Sequence, residues 1–357
     1  MRAIVWTGEV EIRDDVVLRA PKPHEVKVRI HRAGVCHSDV SLIEGVLPWP
    51  TPSVMGHEGA GIVEEVGSAC RKVKVGDHVV LTTVGNCGKC PACAVGKPTH
   101  CRDTFGQLHQ PFTLGASGEA AYQFASLGLF GEYTVVDEAQ AVVIGDDVPF
   151  EVACLIGCAV VTGTGAVFNR AKVERGQSVV VIGAGGIGQS VIQAARIAGA
   201  SRIVVIDANP GKEAVSRTFG AHDFINGAEV SDVVSAVKDL GLPNGADHVF
   251  ECVGHPALIA NAIDLLDWGG TCTLLGVPKF GTEASFVVQT LYNDKSILGC
   301  RYGSTRPHKD IPMLIDYYRD GRLMLDEMVS KVYPMADFAH AVSDMKAGVL
   351  NRGVLAI

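Results

Sequence analysis

Along the first 150 residues, apolar and polar positions tend to alternate with the two-residue period of a half-buried strand. Val26, Val28 and Ile30 are separated by Lys27 and Arg29, which predicts a strand with one buried face. Gly61 to Gly67, Asp77 to Thr82, Phe130 to Val136 and Ala141 to Ile144 read the same way, divided by Gly and Lys turns. Helical periodicity is weak here, so a β-rich region with long loops is expected. The texture changes near residue 158. Ser178 to Ile182 is a short, wholly apolar run of the kind found in a strand buried on both faces. A glycine-rich turn and a helix from Ile187 to Ala198 follow. Arg202 to Ile206 is a second such strand, and Pro210 to Phe219 a helix with proline in its first turn. His222 to Ile225, Ala246 to Phe250 and Gly270 to Leu275 continue as strands with helices between, the pattern of a parallel, doubly wound α/β sheet. The tail reads as helices near 309–320 and 336–347 and a closing strand, Gly353 to Ile357, expected to pack back on the first domain. The expected division is 1–159 with 302–357, and 160–301.

Composition narrows the class. The chain has 357 residues, a length that suits two domains, with 47% hydrophobic and 20% charged residues, so disorder is not expected. A formal charge of −8 with no basic stripe argues against a nucleic-acid partner. No apolar run approaches the ~18 residues of a membrane span, and the amino terminus is too short in its apolar part for a secretory signal. The expectation is a cytoplasmic protein with no membrane partner. The 11 cysteines then read as ligands and buried thiols rather than disulfides. Cys70, Cys154, Cys252, Cys272 and Cys300 are expected as small buried hydrophobes.

Three constellations carry chemistry. Cys87, Cys90, Cys93 and Cys101 have C-x2-C-x2-C-x7-C spacing. Four thiolates so spaced can close on one tetrahedral zinc, with no position left for substrate, and would order a loop that has little regular structure. An iron–sulfur cluster is the rival, disfavoured by the long last gap. Cys36, His57 and Cys158 form a second set: two thiolates and an imidazole that would leave a fourth zinc position open. Gly183, Gly185, Gly186, Ile187 and Gly188 lie between a strand and a helix, as in a dinucleotide fingerprint. Asp207 ends the next strand, 19 residues after Gly188. A carboxylate there accepts ribose hydroxyls and repels a 2′-phosphate, which favours NAD over NADP.

Taken together, Gly34 to Asp39, Gly56 to Gly61 with Gly67, the four-cysteine loop, Cys158 to Thr162, the glycine fingerprint and Arg352 resemble the zinc-containing medium-chain alcohol dehydrogenases, in the class I/III-like branch of bacterial type. The resemblance covers nearly the whole chain. It implies a GroES-like, β-rich catalytic domain with both zinc sites, a Rossmann NAD-binding domain, and the catalytic zinc in a cleft between them. Residue by residue, it implies that Cys36, His57 and Cys158 hold the catalytic zinc, with Glu58 behind it and Asp39 orienting His57. It implies that Ser38 takes the alcohol proton and that His37 and Arg352 meet the cofactor pyrophosphate. Thr162 and Ile187 would flank the nicotinamide, Lys212 would sit near the adenosine ribose, and Val253 and Val277 would border the cofactor. Plain loop carboxylates remain the alternative for Glu58 and Asp39, and a solvated helix residue for Lys212.

Several positions depart from the pattern. Ser41 stands where a histidine often completes the proton relay, and Thr83 where many members present a bulky aromatic, which implies a wider substrate pocket. Leu47 replaces an acid usual in glutathione-dependent formaldehyde dehydrogenases, whereas Arg301 to Pro307 resembles bacterial members related to thiol-linked formaldehyde dehydrogenases. Arg301 is expected near the pocket rim. The expected activity is reversible hydride transfer between a primary alcohol, bulky or aromatic ones included, and NAD, with two zinc ions per chain. The alternatives are oxidation of a thiol adduct of formaldehyde and a non-catalytic NAD- or redox-sensing protein. A homodimer is expected, since Cys101 to Phe130 is long as in the family's dimeric branch, with Ser285 to Val288 and Ile297 to Cys300 as edge strands across the two-fold axis.

Overall fold

The computed structural model describes residues 1–357, apart from the side chain of Ala116. The chain forms two compact units. The first comprises Met1–Cys158, Arg306–Tyr317 and Met328–Ile357; the second comprises Ala159–Thr305 and Tyr318–Glu327.

The first unit is β-rich. Its larger sheet is built on the antiparallel pair Glu25–Val35 and Glu58–Val66. The alternation in the sequence places Val26, Val28 and Ile30 in the core with Val63, Val79, Leu81 and Val136. Each such side chain contributes roughly 1.5–3 kcal/mol when fully buried. The closing strand Arg352–Ala356 pairs antiparallel with Glu25–Val35, Gly353 opposite Val35. The same register sets Gly34 opposite Glu58. One end of the sheet therefore gathers the start of the Glu58 strand, the residues after Val35 and the start of the closing strand. A smaller sheet of six strands contains Ala3–Trp6 and Phe112–Leu114 and buries Val5, Val54, Phe112 and Leu114.

The second unit carries a six-stranded parallel sheet. In spatial order its strands are Asp223–Asn226, Arg202–Asp207, Ser178–Ile182, Ala246–Glu251, Leu266–Leu274 and Ser296–Gly299. Chain order reverses between Ser178–Ile182 and Ala246–Glu251, the switch point at which doubly wound sheets bind ligands. Val179, Val180, Val181, Val204 and Val205 are all buried, which explains why these strands read as apolar runs rather than alternations.

Three elements differ from the sequence reading. Ser285 to Val288 forms no strand. Val287 instead caps the 3₁₀ turn Val288–Asn293, its carbonyl accepting both the amide (3.1 Å) and the hydroxyl (2.7 Å) of Thr290, which removes it from any ladder. Phe150–Ala171 is one continuous helical run of α and π turns with mean hydropathy 1.8, long and apolar enough to cross a bilayer. Its apolar window is 89% buried inside the protein, so its composition reflects core packing. Small residues and polar Thr162 and Thr164 interrupt the run and hide this length in the sequence. Finally, Tyr318–Glu327 goes with the second unit, where Gln193 clasps Met324 through two side-chain bonds of 2.7 and 3.2 Å to its amide and carbonyl.

Candidate active site and metal centres

The end of the larger sheet becomes a site because two turns leave it at the same level. After Val35 the chain starts the short helix His37–Ile43, and Cys36 is its N-cap. Asp39, in the first turn, folds back: one carboxylate oxygen accepts the Cys36 amide at 3.0 Å and the other meets His57 Nδ1 at 3.2 Å. This fixes the His57 tautomer and frees Nε2 to act as a ligand. Cys158 arrives from a π-helical turn, Ile156–Val160. It can reach the site because Gly157 lets the helix press on the strand; a Cβ there would collide with the Leu81 carbonyl.

The ligand atoms of Cys36, His57, Glu58 and Cys158 lie within 4.8 Å of one another, and all four residues are buried. His57 Nε2 is buried with no hydrogen-bond partner, an orphaned donor atom that a divalent ion would satisfy. Burial opposes a charge on His57, yet Asp39 and then Cys36 outweigh it and hold its pKa well above the ordinary value. A hydrogen bond from Cys158, helped by the charge on neighbouring His57, holds Cys36 well below the usual thiol range against burial, and Cys158 is correspondingly pushed up. Two soft sulfurs and one imidazole, with protons that a cation would displace, fit zinc.

Glu58 faces Arg352, which forms a buried ion pair with it. Burial pushes the Glu58 carboxyl up to about 7, with Arg352 opposing. Arg352, expected at the cofactor pyrophosphate, is thus held beside the metal ligands, with Nε unpartnered. Ser38 is half-buried and His37 exposed on the first turn after Cys36. Thr83 and Leu47 are half-buried, and the Arg301 guanidinium lies 5.5 Å from the centre of the Tyr302 ring. The sequence reading missed Phe124. Its ring meets His57 edge-on at 5.5 Å and Trp49 edge-on at 5.4 Å, an aromatic wall behind the imidazole. No local motif marks Phe124; the chain fold alone brings it there.

The four thiols of Cys87, Cys90, Cys93 and Cys101 also lie within 4.8 Å of one another. Backbone amides turn toward them: the Cys90 amide donates to the Cys87 sulfur at 3.3 Å and the Cys87 amide to that of Cys101 at 3.5 Å. Burial raises the Cys93 thiol to about 12; for Cys101 burial is outweighed by the Thr104 hydroxyl and the Cys87 amide, which bring it to about 6. Such thiols sharing their protons fit a closed S4 zinc site.

In the second unit Gly183 takes φ +93°, and Gly188 lies so close that a Cβ on it would strike the Gly183 carbonyl. Gly185 caps the helix Gly186–Ala198. Asp207 ties this turn to the next strand, accepting the Ala184 amide at 2.7 Å and the Asn209 amide at 2.8 Å. Ile187 is half-buried at the helix start, and Thr162 is buried with its hydroxyl unpartnered. Lys212 is buried in the turn after Asn209; burial lowers its pKa while Asp207 opposes. Val253 and Val277 expose apolar side chains at the strand ends. These residues fit a dinucleotide on the helix N-terminus.

The comparisons agree with this chemistry. The family described as alcohol dehydrogenase GroES-like domain matches residues 22–147, and that described as zinc-binding dehydrogenase matches residues 186–319. Alcohol dehydrogenase-like 6 of Arabidopsis thaliana is 35% identical over 362 residues, covering 99% of this chain and 94% of that protein. A probable S-(hydroxymethyl)glutathione dehydrogenase 1 of Schizosaccharomyces pombe is 34% identical over 363 residues, covering 99% and 96%. Among solved structures, the benzyl alcohol dehydrogenase of Acinetobacter calcoaceticus superposes with a TM-score of 0.92 at 32% identity, covering 100% of this chain and 99% of that one. With both family descriptions matched and relatives alike over almost their whole length, the chain belongs to the zinc-containing medium-chain alcohol dehydrogenase family.

Proposed function

We propose that the protein oxidises primary alcohols, bulky and aromatic ones included, with NAD as hydride acceptor, and runs the reverse reduction of aldehydes. The observation that carries this is the buried Cys36, His57 and Cys158 donor set with Nε2 unpartnered, on the same chain as a complete dinucleotide fingerprint. Zinc held by these three residues supplies Lewis acidity at the alcohol oxygen, and NAD supplies the redox chemistry. The residues do the rest. Asp39 keeps His57 in the ligating tautomer. Glu58 with Arg352 sets the charge behind the ligands. The Ser38 hydroxyl, on the turn after Cys36, would take up the alcohol proton. Gly183, Gly185 and Gly188 would bring backbone to the pyrophosphate, and Asp207 would accept the adenosine ribose hydroxyls.

NAD is preferred over NADP because Asp207 would repel a 2′-phosphate and Ala208 and Asn209 offer no cation. Half-buried Thr83, in place of an aromatic, supports a roomy alcohol site. A substrate panel with both cofactors tests this: aliphatic and benzylic alcohols should turn over with NAD, and NADP should be a poor substitute. A second reading, oxidation of a thiol adduct of formaldehyde, is favoured by the relatives named S-(hydroxymethyl)glutathione dehydrogenase and disfavoured by Leu47. Formaldehyde oxidation that requires an added low-molecular-weight thiol would establish it.

We also infer a homodimer and a cytoplasmic location. The edge strand Ser296–Gly299, with exposed Phe286, Val287, Val288 and Tyr292 before it, suits pairing with a second copy. Two sets of cysteine ligands, with no disulfide among the 11 cysteines, suit a reducing compartment.

A further inference from the structure

The strand Ala246–Glu251 ends on a carboxylate to which the reaction above gives no part. Glu251 is 0% exposed. Its side chain turns onto the chain just ahead of it: Oε1 accepts the amides of Val253 at 2.9 Å and Gly254 at 2.8 Å, and Oε2 accepts the Gly254 amide at 3.0 Å. Its carbonyl takes a second loop, accepting the amides of Leu275 at 2.8 Å and Gly276 at 3.0 Å. One residue therefore fixes the loops that follow two neighbouring strands. The loops touch along their backbones. A Cβ on Gly254, which has φ +86°, would lie 2.9 Å from the Pro278 nitrogen, and one on Gly276 would collide with the Gly254 amide. The arrangement also reaches the fingerprint: a Cβ on Gly183 would lie 2.7 Å from Val253 Cγ2, and the Cys252 amide donates to the Ile182 carbonyl at 2.9 Å.

The outer surface of this double loop is apolar and open. Val253 is 49% exposed on backbone held from beneath by the buried Glu251 carboxylate, and Val277 73% exposed on the adjoining loop, which the Glu251 carbonyl holds and which packs on Gly254. Dinucleotides lie across the point where strand order reverses. Asp207, on one side of that point, receives the adenosine ribose; the other side, where Glu251 stands, then receives the nicotinamide half. We propose that Glu251 is a positioning residue for NAD: it holds Val253 and Val277 as a preformed wall for the nicotinamide half of the cofactor. This rests on the NAD reading above. Burial pushes the Glu251 carboxyl up, while the amides of Gly254, Val253 and His255 and the charge of His255 oppose it. A ligand wall set in place before binding needs no ordering when the cofactor arrives.

Glu251→Gln tests the proposal, because its amide group sets a donor against the Gly254 amide while keeping the side chain's size. Calorimetric titrations of the zinc-loaded, full-length protein with NADH and with ADP-ribose, which lacks the nicotinamide ring, separate the two halves. The variant should bind NADH about tenfold more weakly and ADP-ribose within about twofold of the parent. Its KM for NAD should rise while its KM for the alcohol stays put. Should the variant fold poorly, amide hydrogen exchange of the unsubstituted, NAD-free protein reports on the same clamp: the segment 252–255 should exchange slowly. Fast exchange there, equal loss of NADH and ADP-ribose, or binding of both as in the parent would overturn the proposal and leave the NAD reading standing. A parent protein that bound neither nucleotide would overturn both.

Discussion

At the scale of single residues, the metal site is organised by groups that do not ligate. Asp39 is hydrogen-bonded both to the Cys36 amide and to the His57 ring. Asp39→Asn can offer its amide nitrogen to Nδ1 and so turn the lone pair away from the metal. The zinc affinity of that site should fall about 10- to 100-fold, read by competition with a chelator while the four-cysteine site keeps its ion. The Glu58–Arg352 pair is buried, so removing either member alone strands a charge. Arg352→Met should cost about 3 kcal/mol in urea unfolding, and adding Glu58→Gln should recover much of it. A double variant no more stable than the single one would show that the two residues act independently.

At the scale of elements, legibility depended on how local the cause was. The fingerprint was legible because its requirement is local: the Ser178–Ile182 strand, a turn at φ +93° and a helix that abuts it each demand a residue type at a fixed offset. The four-cysteine loop was legible for the same reason. Strand pairing was not, since register is set by partners far along the chain. Nothing near Arg352 says that its strand lies beside Val35 and so delivers its guanidinium to Glu58. Phe124 and Glu251 were missed likewise, although Glu251 shares with Asp207 the place of an acid at a strand's end. The Gly188 contact gives a test at this scale. Gly188→Ala forces the helix Gly186–Ala198 off the Gly183 carbonyl. It should lower stability by about 1–3 kcal/mol in thermal unfolding and weaken NADH and ADP-ribose alike, unlike a change at Glu251.

For the whole molecule, acid sensitivity follows from a buried imidazole, that of His248. Burial is the largest influence on His248 and pulls it below its ordinary 6.5. The folded chain then keeps it neutral where the unfolded chain would take up a proton. Its contribution to stability is complete above 6.5 and is lost as pH falls from there through the lowered folded value. His248 meets Gln177 at 2.9 Å, so His248→Asn should flatten the fall in melting temperature between about pH 7.5 and 5.5; a slope identical to the parent's would remove His248 from the cause. The proposed alcohol oxidation depends on an open metal position served by Cys36, His57 and Cys158. Its most direct test is zinc analysis run beside NAD-linked alcohol oxidation, for the parent and for Cys158→Ser. The two ligand clusters call for two zinc ions per chain in the parent. The variant should keep the ion of the four-cysteine loop, still bind NADH, and oxidise alcohol about a thousandfold more slowly or not at all. A variant that has lost its second zinc yet matches the parent's rate would contradict it.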